Sequence, residues 1–134
     1  MGTQKQVLCI LMTLFINGCT SSSAFTKEEK DFRKYAASIC MGSSFKIPEV
    51  EQDANISANG YMGNISLDSY DELRSLVTTW KRSKFMGKSG HQANIMRCLE
   101  FSESQEIKQI FDRYNPCLDS SHWLDQKEFK AQCN

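Results

Sequence analysis

The chain has 134 residues, 40% of them hydrophobic, with 16 basic side chains against 16 acidic ones, a composition that supports one buried core and excludes a disordered chain. A formal charge of zero argues against a nucleic-acid binder, which needs surplus Lys and Arg to displace counterions from phosphates. Any charged partner surface must therefore be local.

The first segment reads as an export signal. Lys5 supplies a positive start, and Val7 to Ile16 form an apolar run of about ten residues, too short to span a bilayer. Two cleavage sites compete. Ile16-Asn17-Gly18-Cys19 resembles a bacterial lipobox, in which Cys19 is lipidated and Thr20 to Ser23 become a flexible membrane tether. Ser22-Ser23-Ala24 is an ordinary small-residue site before Phe25. Residues 1–24 are thus expected to be a signal peptide, or a lipoprotein signal with its tether, and residues 25–134 one exported helical domain. Only Lys5 is lost with the signal, which leaves 15 basic residues against 16 acidic.

Cysteine usage points to the same oxidising compartment, a bacterial periplasm. With Cys9 in the signal and Cys19 lipidated or discarded, Cys40, Cys98, Cys117 and Cys133 remain. Four thiols in an exported domain make two disulfides, each stabilising by about 2–4 kcal/mol. Of the three pairings available on paper, Cys40 with Cys98 would pin two apolar helices together, and Cys117 with Cys133 would close a short C-terminal loop. No two of them have the CxxC spacing that zinc sites favour.

Beyond the signal the periodicity is helical. Thr26-Lys27-Glu28-Glu29 is a capping box, after which Phe32, Tyr35, Ala36, Ile39 and Cys40 share one helical face. Gly42-Ser43-Ser44 is expected to break this helix. Pro48 with Glu49 and Glu51 suits the first turn of a second helix carrying Val50, Ala54 and Ala58. Asn59 to Asn64, with two Gly and two Asn in six residues, predicts a turn or loop. Ser66 can cap a third helix whose Tyr70, Leu73, Leu76, Val77, Trp80 and Lys84 follow helical steps. Gly87-Lys88-Ser89-Gly90 interrupts it. Ile95 and Leu99, then Ile107, Ile110, Phe111 and Tyr114, mark one or two further helices ending at Pro116. Trp123, Leu124 and Phe129 suggest a short last helix stapled by Cys133. The expected fold is all-α, a compact, disulfide-stabilised bundle of about five to six helices, without strands.

No constellation carries catalysis convincingly. Gly87-Lys88-Ser89 fails as a phosphate loop because Arg82 stands where the first Gly is needed. His91 and His122 lie far apart, and neither has a metal-ligand companion. A Cys-His pair would need a cysteine free of the bridges. Asn55-Ile56-Ser57 and Asn64-Ile65-Ser66 match the N-glycosylation pattern, which carries no message in a bacterium. No cofactor and no metal are expected.

Three blocks carry a family resemblance: Ser57-Ala58-Asn59-Gly60-Tyr61 with Gly63-Asn64; Tyr70, Leu73, Leu76, Val77 and Trp80; and Ser83 to Gly90, leading through Asn94 to Met96-Arg97-Cys98-Leu99-Glu100-Phe101. In this order the chain resembles the immunity proteins that neutralise type VI secretion amidase effectors of the fourth amidase family. That family's pattern runs roughly S-A-S-x-Y, then an aromatic followed by S-K-S-G, then M-K-C-I-D. Asn59 replaces its Ser, Arg97 its Lys, Leu99 its Ile and Glu100 its Asp, and the tail after Pro116 matches nothing in it.

The resemblance implies an all-helical homodimer that acts in the periplasm. Its partner would be a cognate peptidoglycan amidase, a cysteine peptidase, whose active-site cleft it plugs while catalysing nothing itself. One subunit would enter the groove and the second support it. A plug must present loops that are ordered before binding, because ordering on binding subtracts from affinity. Two loops qualify, and the partner-binding residues are accordingly Ser57, Asn59, Gly60 and Tyr61 in the first and Phe85, Lys88, Ser89 and Gly90 in the second. A small secreted hydrolase and a structural lipoprotein adaptor of the envelope are the competing readings.

Overall fold

In the computed structural model, which describes residues 26–118 and Cys133, the first helix begins at its expected cap. The Thr26 hydroxyl accepts the Glu29 amide at 3.2 Å, and helix α1 runs Lys27–Ser44. The Glu29 carboxylate, expected to reach back to the cap, is held by the Arg33 guanidinium at 2.9 and 3.2 Å. Arg33 also donates to the Ser102 carbonyl at 2.7 Å. This ion pair, buried at a helix corner, keeps its hydrogen-bonding groups occupied, which is what makes burying two charges tolerable.

Helix α1 ends within the expected Gly42-Ser43-Ser44 stretch, at Ser44, but Gly42 itself is not what stops it. The helix continues through it to Ser44, and its purpose is proximity: a Cβ there would stand 3.1 Å from the Ala54 Cβ of the neighbouring helix. That neighbour is α2 (Pro48–Gly60), entered through Ile47 in the extended conformation that a residue before proline prefers. Its Ala54 and Ala58 are buried against α1.

Helix α3 (Leu67–Thr79) is capped by the Ser66 hydroxyl, which accepts the Asp68 amide at 3.3 Å. Its apolar stripe was expected to continue through Trp80 to Lys84. The helix stops at Thr79 instead, Lys81 turns left-handed at φ 40°, and a 3-10 turn spans Arg82–Phe85. The reversal folds the Phe85 ring onto Trp80, centroids 5.9 Å apart, so both aromatics are buried. Burying two large aromatic faces, worth a few kcal/mol, outweighs the roughly 1 kcal/mol cost of one left-handed lysine.

Helices α4 (Asn94–Ser102) and α5 (Gln105–Tyr114) complete the described fold, the latter capped by Ser104. The architecture is all-α, as expected: five α-helices and one 3-10 turn, with a lone bridge between Met86 and Gln92 as the only β pairing among the described residues. Helix α1 lies at the centre and touches the other four. The rings of Phe32, Tyr35, Tyr70 and Phe111 interlock between α1, α3 and α5, with centroid separations of 4.5 to 5.6 Å. The Cys40–Cys98 disulfide ties α1 to α4, as the pairing argument expected, and closes a separation of 58 residues. A second disulfide joins Cys117 to Cys133. The export signal, Cys19, His122 and the proposed last helix with Trp123, Leu124 and Phe129 lie outside the described residues.

Candidate partner-binding surface

The first group of candidate residues is more helical than its glycines suggested. Ser57 is half-buried on α2, while Asn59 and Gly60 form the exposed last turn of that helix. Neither Gly60 nor Gly63 adopts a positive φ. Tyr61 follows, its amide donating to the Ala58 carbonyl at 3.0 Å and its half-buried ring packing on the core with the Lys34 ammonium 5.2 Å from its centroid. The Gly63 amide then donates to the Tyr70 hydroxyl at 2.9 Å, which fixes the loop to α3. Burial pushes the Tyr70 hydroxyl above its ordinary pKa of 10.0, partly opposed by that same amide. Between this loop, the start of α1 and the end of α5 opens a cleft of about 310 Å³, lined by Lys27, Asp31, Tyr61, Phe111 and Pro116 among others.

The second group divides in two. Phe85 is core, with 5% of its surface exposed, so the ring faces Trp80 and not solvent. Lys88, Ser89 and Gly90 form the exposed tip of a closed turn. The Gly87 amide donates to the His91 carbonyl at 2.8 Å, the Gly90 amide to the Gly87 carbonyl at 3.0 Å, and the Ala93 amide to the Phe85 carbonyl at 2.9 Å. Gly90 sits at φ +78°, where a side chain would be strained. The loop is therefore ordered by its own backbone. His91 Nδ1 lies 3.3 Å from the Ser89 hydroxyl, yet among the described residues no carboxylate orients that ring, as a hydrolytic triad requires.

The two loops do not come together. The first lies beside Lys27 and Asp31, near the start of α1. The second is anchored at the other end, where the Asn94 side-chain amide donates to the Ser44 carbonyl at 3.1 Å. Those ends of α1 are about 27 Å apart at the helical rise of about 1.5 Å per residue.

Arg97 ties the ends of α1 and α3 to α4, a role the sequence reading missed. Only 2% of the residue is exposed. Its Nε donates to the Trp80 carbonyl at 3.1 Å, Nη1 to the Ser44 hydroxyl at 3.1 Å and Nη2 to the Val77 carbonyl. Among the described residues no carboxylate pairs with it. The guanidinium instead covers the carbonyls at the end of α3, where a cation is favoured by the helix dipole, and reaches the disulfide with Nη1 3.7 Å from Cys40 Sγ. Burial, and secondarily the neighbouring charge of Arg82, lowers its pKa below the ordinary guanidinium value. The signal was present: a lone arginine on the apolar face of a short helix, between Met96 and Cys98.

Helix α4 is also apolar on its outer side, where Ile95, Met96 and Leu99 are more than half exposed. A further signal was hidden by the zero total charge. Glu49, Glu51, Asp53, Asp68, Asp71 and Glu72 follow one another with no basic residue between them, and then Arg74, Lys81, Arg82, Lys84, Lys88 and Arg97 with no acidic one. Among the described residues there is no cluster of His, Cys, Asp and Glu fit to hold a metal ion, and no helix long and apolar enough to cross a membrane.

A family model described as type VI secretion system (T6SS), amidase immunity protein, matches residues 30–111, from the first turn of α1 into the last turn of α5. No curated protein matches the chain.

Proposed function

The chain belongs to the family of type VI secretion system amidase immunity proteins, and from that premise we propose that it binds a cognate peptidoglycan amidase in the periplasm and occludes its active-site cleft. The observation that carries this reading is the turn from Met86 to Gln92. It is closed by its own backbone bonds, seated on the Trp80–Phe85 stack, and backed by a helix cross-linked to α1. A loop ordered before binding loses little entropy on insertion. Occlusion by such a loop needs no reactive group and no cofactor. Lys88, Ser89 and Gly90 are the residues that enter, Phe85 holds them from inside, and Ser57, Asn59, Gly60 and Tyr61 form a second contact at the far end of α1.

A homodimer belongs to the same proposal. The exposed stripe of Ile95, Met96 and Leu99 offers a second copy an apolar face, and the adjoining Lys84–Glu100 pair at 2.8 Å is already neutral, so two such faces meet without like-charge repulsion. Export through the apolar run Val7 to Ile16, with a lipid tether at Cys19, would place the inhibitor where the effector arrives.

Calorimetry of the mature chain with a fourth-family amidase from the same genome, alongside peptidoglycan cleavage, tests the function. Nanomolar binding with loss of cleavage is expected. Intact cleavage at a saturating excess of the chain would refute occlusion, and sedimentation as a monomer at micromolar concentration would refute the dimer.

A further inference from the structure

The cations of the second loop and of the 3-10 turn that leads into it are not evenly compensated. Lys84 is paired with Glu100 at 2.8 Å and Lys81 with Glu106 at 3.6 Å, whereas among the described residues no carboxylate meets Arg82 or Lys88. Both are exposed. The loop thus presents two unneutralised cations in a stretch of chain without any acidic residue.

We propose that the amidase surface meeting this loop is acidic, with carboxylates at the mouth of its cleft that receive Lys88 and Arg82. The inference rests on the inhibitor reading and adds to it the chemistry of the partner. An ammonium carried into an enzyme cleft loses its water, and an unpaired charge in such surroundings costs several kcal/mol. Lys88 stands at the exposed tip of the turn that the Met86–Gln92 bridge closes, so insertion of the tip desolvates it unless a carboxylate is waiting. Arg82 adds a planar fork suited to bidentate carboxylate binding. Opposite charge at the rim also steers the encounter, which raises the association rate more than the final affinity. The acids at the start of α2, Glu49 and Glu51, which no cation meets among the described residues, give the matching control, since they lie outside the loop and two turns before Ser57, Asn59 and Gly60 at the far end of that helix.

The test is stopped-flow association of the full mature chain with the amidase from low salt to about 0.5 M, where screening is nearly complete. Three proteins are compared: the natural chain, the double variant Arg82→Glu with Lys88→Glu, and the double variant Glu49→Lys with Glu51→Lys. Circular dichroism checks that each is folded. The natural chain should associate about ten-fold more slowly at high salt, and the loop reversal should slow it about ten-fold or more at low salt while abolishing the salt dependence. The α2 reversal should stay within about two-fold of the natural chain or associate faster. Tight inhibition with an association rate indifferent to salt and to loop reversal would overturn the acidic-mouth proposal and leave the inhibitor reading standing. A natural chain that neither binds nor inhibits would overturn both.

Discussion

Replacing Arg97 separates two opposing effects whose difference can be worked from the structure. The guanidinium is buried with no carboxylate partner among the described residues, which favours removing it, yet it serves the Trp80 and Val77 carbonyls and the Ser44 hydroxyl. Hydrogen bonds from charged donors contribute about 1.5–3 kcal/mol each, and a buried acceptor left without a partner costs about 1–3 kcal/mol. Against this, swapping a buried ionic group for an apolar one of similar volume can recover about 1–4 kcal/mol. With three acceptors at stake, Arg97→Met should destabilise by about 3 kcal/mol, a fall of roughly 12 °C in melting temperature for a domain of this size. Arg97→Lys keeps the charge near the α3 carbonyls with one compact head, and should cost about half as much. Urea unfolding of the disulfide-intact proteins reads both values, with an unchanged slope as the check that only stability has moved. A loss of less than about 1 kcal/mol for Arg97→Met would show that desolvation cancels the bonds, and would refute the assignment of Arg97 as the clasp between α3, α4 and the disulfide.

Removing the disulfide as Cys40→Ala with Cys98→Ala should cost about 4 kcal/mol from the closure of a 58-residue separation, measured by the same unfolding assay under oxidising conditions. Gly42→Leu should destabilise by about 1–3 kcal/mol or more, because the side chain would meet Ala54 across the α1–α2 contact; a stabilised variant would restore the view that Gly42 only weakens the helix. Tyr70 is neutral in both states at low pH, and its folded pKa is raised. The stability this contributes is fully present below about pH 10 and lost as pH rises through the higher folded value. Tyr70→Phe should therefore lose about 1 kcal/mol at neutral pH, through the freed Gly63 amide, and show a shallower alkaline decline, measured by denaturant unfolding at about pH 8 and pH 11.

Local chemistry was legible where a single residue decides the outcome. Thr26 and Ser66 are caps because their hydroxyls reach the first amides of the next turn, and the spacing of Phe32, Tyr35, Ala36 and Cys40 places them on one face whatever the rest of the chain does. The Cys40–Cys98 pairing followed from two apolar helices. What failed depended on distant partners. Gly42 reads locally as a breaker, and only the approach of Ala54 makes it a contact. The stripe of α3 gives no warning of its end, because Lys81 turns left-handed for the sake of the Trp80–Phe85 stack, which lies beyond the helix. Phe85 was grouped with the loop tip by its position in sequence and is core by its position in space. Lys88, Ser89 and Gly90 were legible as an exposed turn because Gly90 supplies the positive φ. The distance between the two candidate loops could not be read, since both flank α3 in the chain and are separated by the length of α1.

That separation makes the molecule its own thermodynamic control. Substitutions more than about 10 Å apart with no shared contacts add within a few tenths of a kcal/mol, so changes at Tyr61 and Lys88 should be independent in the free protein. A double-mutant cycle over those two positions, run on binding free energy, then reads the partner alone. A coupling near zero means that the two ends act independently, and an end whose own substitution costs no binding is free as a handle for labels or surface attachment. A coupling well above that noise means a single effector, or a second subunit bound with it, bridges both ends of α1.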